Sequence, residues 1–222
     1  ARAGGNRDGE LTVVMSGSRV LDLWEGAGGD RCLLAAAFDI GTTSIAGYLL
    51  DVESGEQLAT DSAMNPQVSF GADVIQRADY ALAGGLEELS RCVRREIDAM
   101  LGRLCEKGGA RREDVYQVSL VGNSCMHHLF LEIPVDTLVL APYEPRVKEA
   151  LALRASDYGF LVHPQAQLLW LPNIGGFVGA DTAGCLLATD MDQRERMTLM
   201  VDIGTNGEMV LGNRETGLTA CS

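Results

Sequence analysis

The sequence predicts an α/β fold, in which strands and helices alternate along the chain. Two stretches carry this prediction. Leu33–Ile40 is a nearly continuous apolar run, which is typical of a central strand buried on both faces. Leu86–Lys107 has apolar residues at steps of three and four, which indicates an amphipathic helix. The 222 residues, 46% apolar and 22% charged, are globular in composition and sufficient for a sizeable core.

The first part of the chain is predicted to consist of short strands. Residues 1–9 are rich in Gly, Arg and Asn and are predicted to be a tail. A hairpin is predicted from Leu11–Met15 and Val20–Trp24, and Gly26–Asp30 is a predicted linker. The main fold then begins with a predicted three-stranded meander, whose strands are Leu33–Ile40, Ser44–Asp51 and Gln57–Met64.

The rest of the chain divides into helices, strands and one long loop. The predicted helices are Phe70–Ala83, Leu86–Lys107, Cys125–Leu131 and Ala180–Ala188. The predicted strands are Val115–Val121, Leu168–Leu171, Thr198–Ile203, Met209–Gly212 and Gly217–Ala220. Residues 132–165 contain prolines and show no sustained periodicity, so an ordered loop with short elements is expected there. The polar residues 190–196 are a predicted linker between two lobes.

The motif Asp-Ile-Gly-Thr occurs twice, at 39–42 and at 202–205, each time at the end of an apolar strand. Glycine lets backbone N–H groups approach an anion closely, and threonine hydroxyls add donors. The aspartates suit Mg²⁺, which prefers carboxylate oxygen and keeps much of its hydration shell. One copy alone is more often an ordinary turn, whereas two copies facing each other predict a clamp for one phosphate chain.

These considerations assign roles to residues at both copies. Phosphate contacts are predicted for Gly41, Thr42, Thr43, Asn123, Gly204, Thr205, Asn206, Gly207 and Glu208. Asp39 and Asp202 are the predicted catalytic residues and are predicted to hold Mg²⁺ through water. Asn123 is included because it follows a buried strand, and ligands in open α/β sheets bind at the carboxyl ends of strands. A simple turn at Asn123 is an equally weighted alternative.

Charge and cysteine usage restrict the function classes. A net charge of −13 argues against DNA or RNA as a partner, although a nucleotide with Mg²⁺ remains compatible. The six cysteines contain no CxxC pair, which excludes the usual short-spaced zinc and iron–sulfur patterns. They favour a reducing cytoplasm, and no apolar run has the length of a membrane span. The chain is expected to be a piece of a longer protein.

Two other stretches invite chemical interpretations. His127 and His128 suggest a metal site, but neighbouring residues on a helix point about 100° apart, so core packing or a structural hydrogen bond is favoured. Gly179–Gly184 opens a helix with small side chains, which indicates close packing. Asp181 near its start either caps the helix or faces a cleft, and the packing role is favoured over catalysis.

The paired hairpins, with the helix Gly179–Ala188 before the second one, resemble the actin/Hsp70/sugar-kinase ATPase superfamily, which has a ribonuclease H-like fold. Within it, the chain from about Leu33 onward resembles the reductive activators of corrinoid proteins. The segments that carry this resemblance are Phe38–Thr43, Asn65–Gln67, Phe70–Ile75, Val121–Asn123, Met126–Leu129, Leu171–Ile174, Gly176–Asp181 and Val201–Glu208.

The resemblance implies both an activity and a division into domains. Such proteins use ATP to drive an electron onto the Co(II) form of a corrinoid cofactor, and they carry a [2Fe–2S] ferredoxin-like domain. Here it implies residues 1–31 as the end of a linker module, 32–196 as the first lobe and 197–222 as the start of a truncated second lobe. The implied cofactors are ATP and Mg²⁺, with the [2Fe–2S] cluster in the full-length protein only. The implied partner is a corrinoid protein, and a homodimer is left open.

Two alternatives accompany this interpretation. A small-molecule kinase of the same fold would require a general base near the cleft, and the sequence offers no convincing carboxylate beyond Asp39 and Asp202. A non-enzymatic, ATP-dependent scaffold has no particular support. On its own, the fragment is expected neither to transfer electrons nor to bind ATP tightly.

Overall fold

The computed structural model describes residue 9 and residues 11–26, 31–204 and 207–222. In these ranges the strands are β1 (Leu11–Ser16), β2 (Arg19–Glu25), β3 (Leu34–Ile40), β4 (Ser44–Asp51), β5 (Gln57–Met64), β6 (Val115–Gly122), β7 (Leu151–Arg154), β8 (Gln167–Trp170), β9 (Thr198–Ile203), β10 (Gly207–Asn213) and β11 (Gly217–Cys221). The α-helices are α1 (Val74–Tyr80), α2 (Leu86–Lys107), α3 (Ser124–Leu131), α4 (Asp136–Val139) and α5 (Ala180–Thr189). Most of the predicted tail 1–9 and of the predicted linker 26–30 lies outside the described residues.

The central element is a six-stranded sheet with the order β5-β4-β3-β6-β8-β7. β4 runs antiparallel to both β3 and β5, which confirms the predicted meander. β6 runs parallel to both β3 and β8, whereas β7 runs antiparallel to β8. The sheet is therefore mixed, and helices flank it. The predicted α/β class is confirmed.

The apolar side of α2 packs on one face of this sheet. Its fully buried side chains include Leu89, Val93, Ile97, Met100, Leu101 and Leu104. Gly47 of β4 makes this packing close, because a Cβ there would lie 2.6 Å from the Phe38 ring and 3.2 Å from the Met100 methyl group. α2 therefore covers the face toward which Phe38 points.

Helix α5 lies on the opposite face. In the parallel register Phe38 lies beside Leu120, and Asp39 lies beside Val121. Successive side chains of a strand point to opposite faces, so Asp39 and Val121 point away from α2. A Cβ at Gly184 of α5 would lie 3.4 Å from Val121, in ordinary contact. Asp39 and α5 thus share a face of the sheet.

Two smaller sheets complete the chain. β1 and β2 form the predicted hairpin, which packs in a small cluster with Leu33 and Tyr116. The Tyr116 hydroxyl donates to Asp22 at 2.8 Å. β9, β10 and β11 form an antiparallel sheet in the order β11-β10-β9, as the strand predictions required. The domain boundaries at 31/32 and 196/197 stay predictions.

Two predictions of local structure need correction. The predicted helix Phe70–Ala83 is shorter, because Asp73 accepts from the Gln76 N–H at 2.9 Å and starts α1 at Val74. A wider turn, Ala81–Gly85, follows, in which Gly84 has φ 104°. The predicted loop 132–165 does contain short elements, as expected, among them α4 and the edge strand β7. β3 is fully buried on one face only, since Asp39 is exposed on the other.

Candidate functional site: a carboxylate-lined cleft

The turn Gly41–Thr43 joins β3 to β4 and is held from within the fold. Asn65 donates its side-chain N–H to the Gly41 carbonyl at 2.8 Å and its backbone N–H to the Thr43 carbonyl at 2.9 Å. A Cβ at Gly41 would lie 2.7 Å from the Ser44 carbonyl oxygen, so the turn has no room for a larger residue there. Thr43 and Ser44 are exposed, whereas Thr42 is buried.

Asn123 connects this turn to the start of α3. Its side-chain oxygen accepts from the Met126 N–H at 3.0 Å, which caps the helix. Its side-chain N–H donates to the Thr42 hydroxyl oxygen at 3.2 Å. Asn123 therefore lies at the cleft, as one of the two sequence interpretations held, and is also the cap of α3.

The second hairpin contributes two carboxylates. Asp202 of β9 and Glu208 of β10 lie directly opposite each other in the antiparallel register. Their neighbours Val201 and Met209 point the other way and are exposed. Like charges directly opposite each other on adjacent strands are destabilising. Such a pair favours a cation between the two carboxylates.

The two hairpins, Asn123 and the start of α5 enclose a cleft of about 230 Å³. Its lining is polar and consists of Asp39, Gly41, Thr42, Thr43, Ser44, Ala46, Asn123, Asp181, Asp202, Gly204 and Glu208. The structure thus brings together most of the residues predicted from the sequence. Gly207 is exposed and is not among the lining residues. Thr205 and Asn206 lie outside the described residues.

Three carboxyl groups of the cleft have raised pKa values, and burial is the largest cause in each case. Burial, followed by Asp181 and Asp202, raises the pKa of Asp39 from its ordinary 3.8 to about 6. Burial raises the pKa of Glu208, and the charges of Asp181 and Asp202 add to the effect. Burial also raises the pKa of Asp181. The cleft therefore concentrates negative charge that opposes deprotonation.

Asp181 is the site residue to which the sequence interpretation gave too little weight. It lies in the first turn of α5 and lines the cleft, and its carboxylate accepts from the Thr182 N–H at 2.7 Å. The available signal was its place at a helix start next to a glycine that packs closely. That close packing is confirmed, because a Cβ at Gly179 would lie 2.5 Å from the Asn123 Cα.

His127 and His128 lie in the core, as the favoured interpretation had it. Both are fully buried. His128 Nε2 accepts from the Arg146 N–H at 3.0 Å, and its Nδ1 lies 2.8 Å from the Ser124 carbonyl oxygen, to which it donates. Burial, with a smaller contribution from His128, lowers the pKa of His127 to about 3. The pair is a structural element of α3.

A larger groove, about 490 Å³, lies between α2 and residues 157–159. Its Arg91 and Arg94 are already paired with Glu87 and Glu132. The smaller cleft, where carboxylates crowd against the turn Gly41–Thr43, is the stronger candidate site.

Metal-ligating groups and membrane-spanning helices were both considered within the described ranges. There, no group of three or more His, Cys, Asp or Glu side chains is arranged to hold a metal ion. In the same residues, none of the helices has the length and apolar character needed to cross a bilayer.

The mixed sheet with its flanking helices and the two facing hairpins define an α/β lobe whose cleft lies between the hairpins. The particular family follows from comparison with known proteins. The RACo middle region family matches residues 34–194, and the chain belongs to this family.

Two curated relatives and one solved structure agree with this assignment. The chain is 39% identical over 216 residues to the corrinoid activation enzyme RamQ of Eubacterium limosum, covering 95% of the chain and 36% of that protein. It is 26% identical over 193 residues to the [Co(II) methylated amine-specific corrinoid protein] reductase of Methanosarcina barkeri, covering 83% of the chain and 35% of that protein. A solved reductive activator for corrinoid,iron-sulfur protein superposes with a TM-score of 0.90 at 33% identity, covering 96% of the chain and 34% of the other. The chain thus spans about a third of the length of these relatives.

Proposed function

We propose that this chain is the ATP-binding portion of an ATP-dependent reductive activator. In the full-length protein, one electron from an iron–sulfur domain outside this chain would reduce the cobalt of a corrinoid protein from inactive Co(II) to active Co(I). The observation that carries the proposal is the cleft between the two Asp-Ile-Gly turns, in a chain of the RACo middle region family. The names of the relatives supply the corrinoid substrate class.

The proposal assigns separate groups to phosphate and to metal. Phosphate donors in this proposal are the backbone and hydroxyl groups of Gly41, Thr42, Thr43, Gly204, Thr205, Asn206 and Gly207. Asn123 supports them through Thr42. Asp39 and Asp202 are assigned to Mg²⁺ through water. Glu208 joins them, because a buried carboxylate opposite Asp202 suits a cation better than a phosphate.

The donor set fits Mg²⁺ with a nucleotide. Carboxylate oxygens are the ligands that Mg²⁺ prefers. Burial and then the charges of Asp181 and Asp202 raise the pKa of Asp39, and a cation would relieve this crowding of negative charge. A polyphosphate alone would be repelled by the same charges. When bound, Mg²⁺ neutralises phosphate charge, while the residues of this chain position the nucleotide and the attacking water.

Binding of ATP would bias docking to the corrinoid protein if the two states of the cleft differ in affinity for that partner. The net charge of −13 suits a partner with a complementary basic patch. We further propose a cytoplasmic location, because all six cysteines are unpaired. A homodimer stays open, and the oligomeric state of the full-length protein has to be measured to decide it.

One observation favours the alternative of a small-molecule kinase. Asp181 lines the cleft, and burial raises its pKa, which suits a general base for a hydroxyl substrate. A kinase would consume ATP with a hydroxyl compound alone, whereas an activator would respond to corrinoid protein. The family membership favours the activator.

The decisive experiment measures ATP hydrolysis by the full-length protein with and without a corrinoid protein. We expect stimulation by the corrinoid protein and loss of activity in Asp202→Ala. Asp192→Ala, at an exposed acidic residue outside the cleft, is the matched control and should keep the activity. Undiminished ATP hydrolysis in Asp202→Ala would contradict the proposal that Asp202 holds Mg²⁺ through water.

A further inference from the structure

A buried arginine lies behind the first phosphate turn. Arg77 of α1 is 0% exposed. Its Nη2 donates to the Thr42 carbonyl at 2.6 Å, and its Nε donates to the Gly71 carbonyl at 2.8 Å. Nη1 makes weaker contacts of 3.5 Å with the Gln67 side-chain oxygen and with the Met126 sulfur. All three nitrogens of the guanidinium group therefore have a hydrogen-bond partner in the protein.

Asp73 is the carboxylate that acts on the charge of Arg77, and it does so without forming an ion pair. Among the described residues, no carboxylate forms an ion pair with Arg77, and its acceptors are carbonyl oxygens and a thioether. Burial lowers the pKa of the guanidinium, which reports the cost of keeping this charge out of water. An isolated buried charge is costly unless something compensates it. An anion bound at the adjacent turn would do so.

The carbonyl oxygens of the turn are all occupied from the protein side. Asn65 binds those of Gly41 and Thr43, and Arg77 binds that of Thr42. In contrast, the backbone N–H groups of Thr42 and Thr43 make no hydrogen bond within the described residues. Because its carbonyl oxygens already accept hydrogen bonds from the protein, the turn can donate its backbone N–H groups to an anion.

We propose that Arg77 is a positioning residue for nucleotide binding, which holds the Thr42 carbonyl and places a positive charge behind the turn that receives the phosphates. This inference rests on the proposed function. It assigns to α1 a role in the site, although Arg77 is not among the residues that line the cleft.

The test measures the affinity of the full-length protein for ATP with Mg²⁺ by calorimetry. Arg77→Met removes the charge and both donors to carbonyl oxygens, and the Kd should rise about 10-fold or more, as expected for loss of a charge-assisted hydrogen bond. Arg77→Lys keeps the charge but loses the planar set of guanidinium N–H donors. Its Kd should therefore lie between that of the unaltered protein and that of Arg77→Met. Guanidinium ion added to Arg77→Ala should recover part of the affinity.

Arg94→Met is the matched control. Arg94 is a partly buried arginine that also donates to a backbone carbonyl, that of Phe130 at 2.9 Å, and it does not line the cleft. A purely structural role for Arg77 would lower the thermal midpoint in both variants and leave the Kd of the folded protein unchanged. If Arg77→Met does not fold, Arg77→Lys decides.

Two negative results differ in meaning. If the unaltered protein binds ATP and the folded Arg77 variants bind it within about twofold of that value, the positioning role alone is overturned. If the unaltered protein does not bind ATP with Mg²⁺, the proposed function is wrong and the role of Arg77 falls with it.

Discussion

At the scale of single residues, the chemistry of the cleft depends on carboxylates that are close enough to disfavour one another's charge. Asp39 is the clearest case. The residue as a whole is exposed, but its carboxyl group is largely surrounded by protein. This burial, followed by the charges of Asp181 and Asp202, raises the pKa of Asp39 to about 6. The folded state therefore favours the protonated form more than the unfolded chain does.

This shift predicts that Asp39→Asn stabilises the protein in a pH-dependent way. The pKa of Asp39 is raised on folding, so its destabilising effect grows as the pH rises from about 4 to about 6 and is complete above that. Because Asp39 is exposed, we discount the shift and expect a gain of about 1 kcal/mol at pH 7.5 without Mg²⁺.

Urea unfolding of the full-length protein at pH 4.5 and 7.5 measures this gain. Asp192→Asn is the control, since Asp192 is exposed and does not line the cleft. An Asp39→Asn variant whose stability relative to the unaltered protein is the same at both pH values would contradict the prediction.

Residue chemistry also shows what the sequence made predictable. Asp39 and Asp202 could be identified because both lie in a repeated motif whose spacing puts them at strand ends. Asn65 and Arg77 could not, because their importance lies in hydrogen bonds to Gly41 and Thr42 across 24 and 35 residues. Sequence spacing does not report such contacts.

At the scale of secondary-structure elements, α5 is fitted to the sheet by two glycines that have different surroundings. A Cβ at Gly179 would lie 2.5 Å from the Asn123 Cα and 2.6 Å from the Gly122 carbonyl oxygen. A Cβ at Gly184 would make ordinary contacts of 3.4 Å and 3.6 Å with Val121 and Leu171. The same substitution should therefore have different effects at the N-cap of α5 and in the middle of this helix.

We predict that Gly179→Ala destabilises the protein by about 1–3 kcal/mol, because backbone atoms must move to admit the methyl group. Gly184→Ala should be neutral or stabilising by up to about 1 kcal/mol, because alanine has the higher helix propensity. Urea unfolding checks both, and each variant is the control for the other. Equal effects of the two substitutions would refute this account of the packing.

The elements themselves were predictable to different degrees. The long helix α2 has a complete amphipathic pattern, so its bounds Leu86–Lys107 follow from the sequence. Strand β7 could be predicted only as one of the short elements of residues 132–165, because its four residues gain their structure from pairing with β8. Helix α1 starts later than its apolar pattern because the Asp73 cap decides where it begins. The local sequence identifies long periodic elements, whereas short elements depend on tertiary partners.

At the scale of the whole molecule, the cleft brings together carboxylates from both the six-stranded and the three-stranded sheet. Asp39 comes from β3, Asp181 from α5, and Asp202 and Glu208 from β9 and β10. Their repulsion opposes the approach of the two sheets. A divalent cation that binds among them would relieve this repulsion and stabilise the arrangement by mass action.

We therefore predict that Mg²⁺ stabilises the full-length protein more than K⁺ does at equal ionic strength. At pH 7.5 the gain should reach about 2.7 kcal/mol when Mg²⁺ is at 100 times its Kd. It should be smaller at pH 5, where Asp39 with a pKa of about 6 is largely protonated. Thermal unfolding in matched MgCl₂ and KCl measures the difference.

Because the chain carries a net charge of −13, the K⁺ comparison separates general screening from binding in the cleft. Asp202→Asn should lose most of the difference and Asp192→Asn should keep it. Equal stabilisation by the two salts would show that the carboxylates of the cleft do not form a cation site.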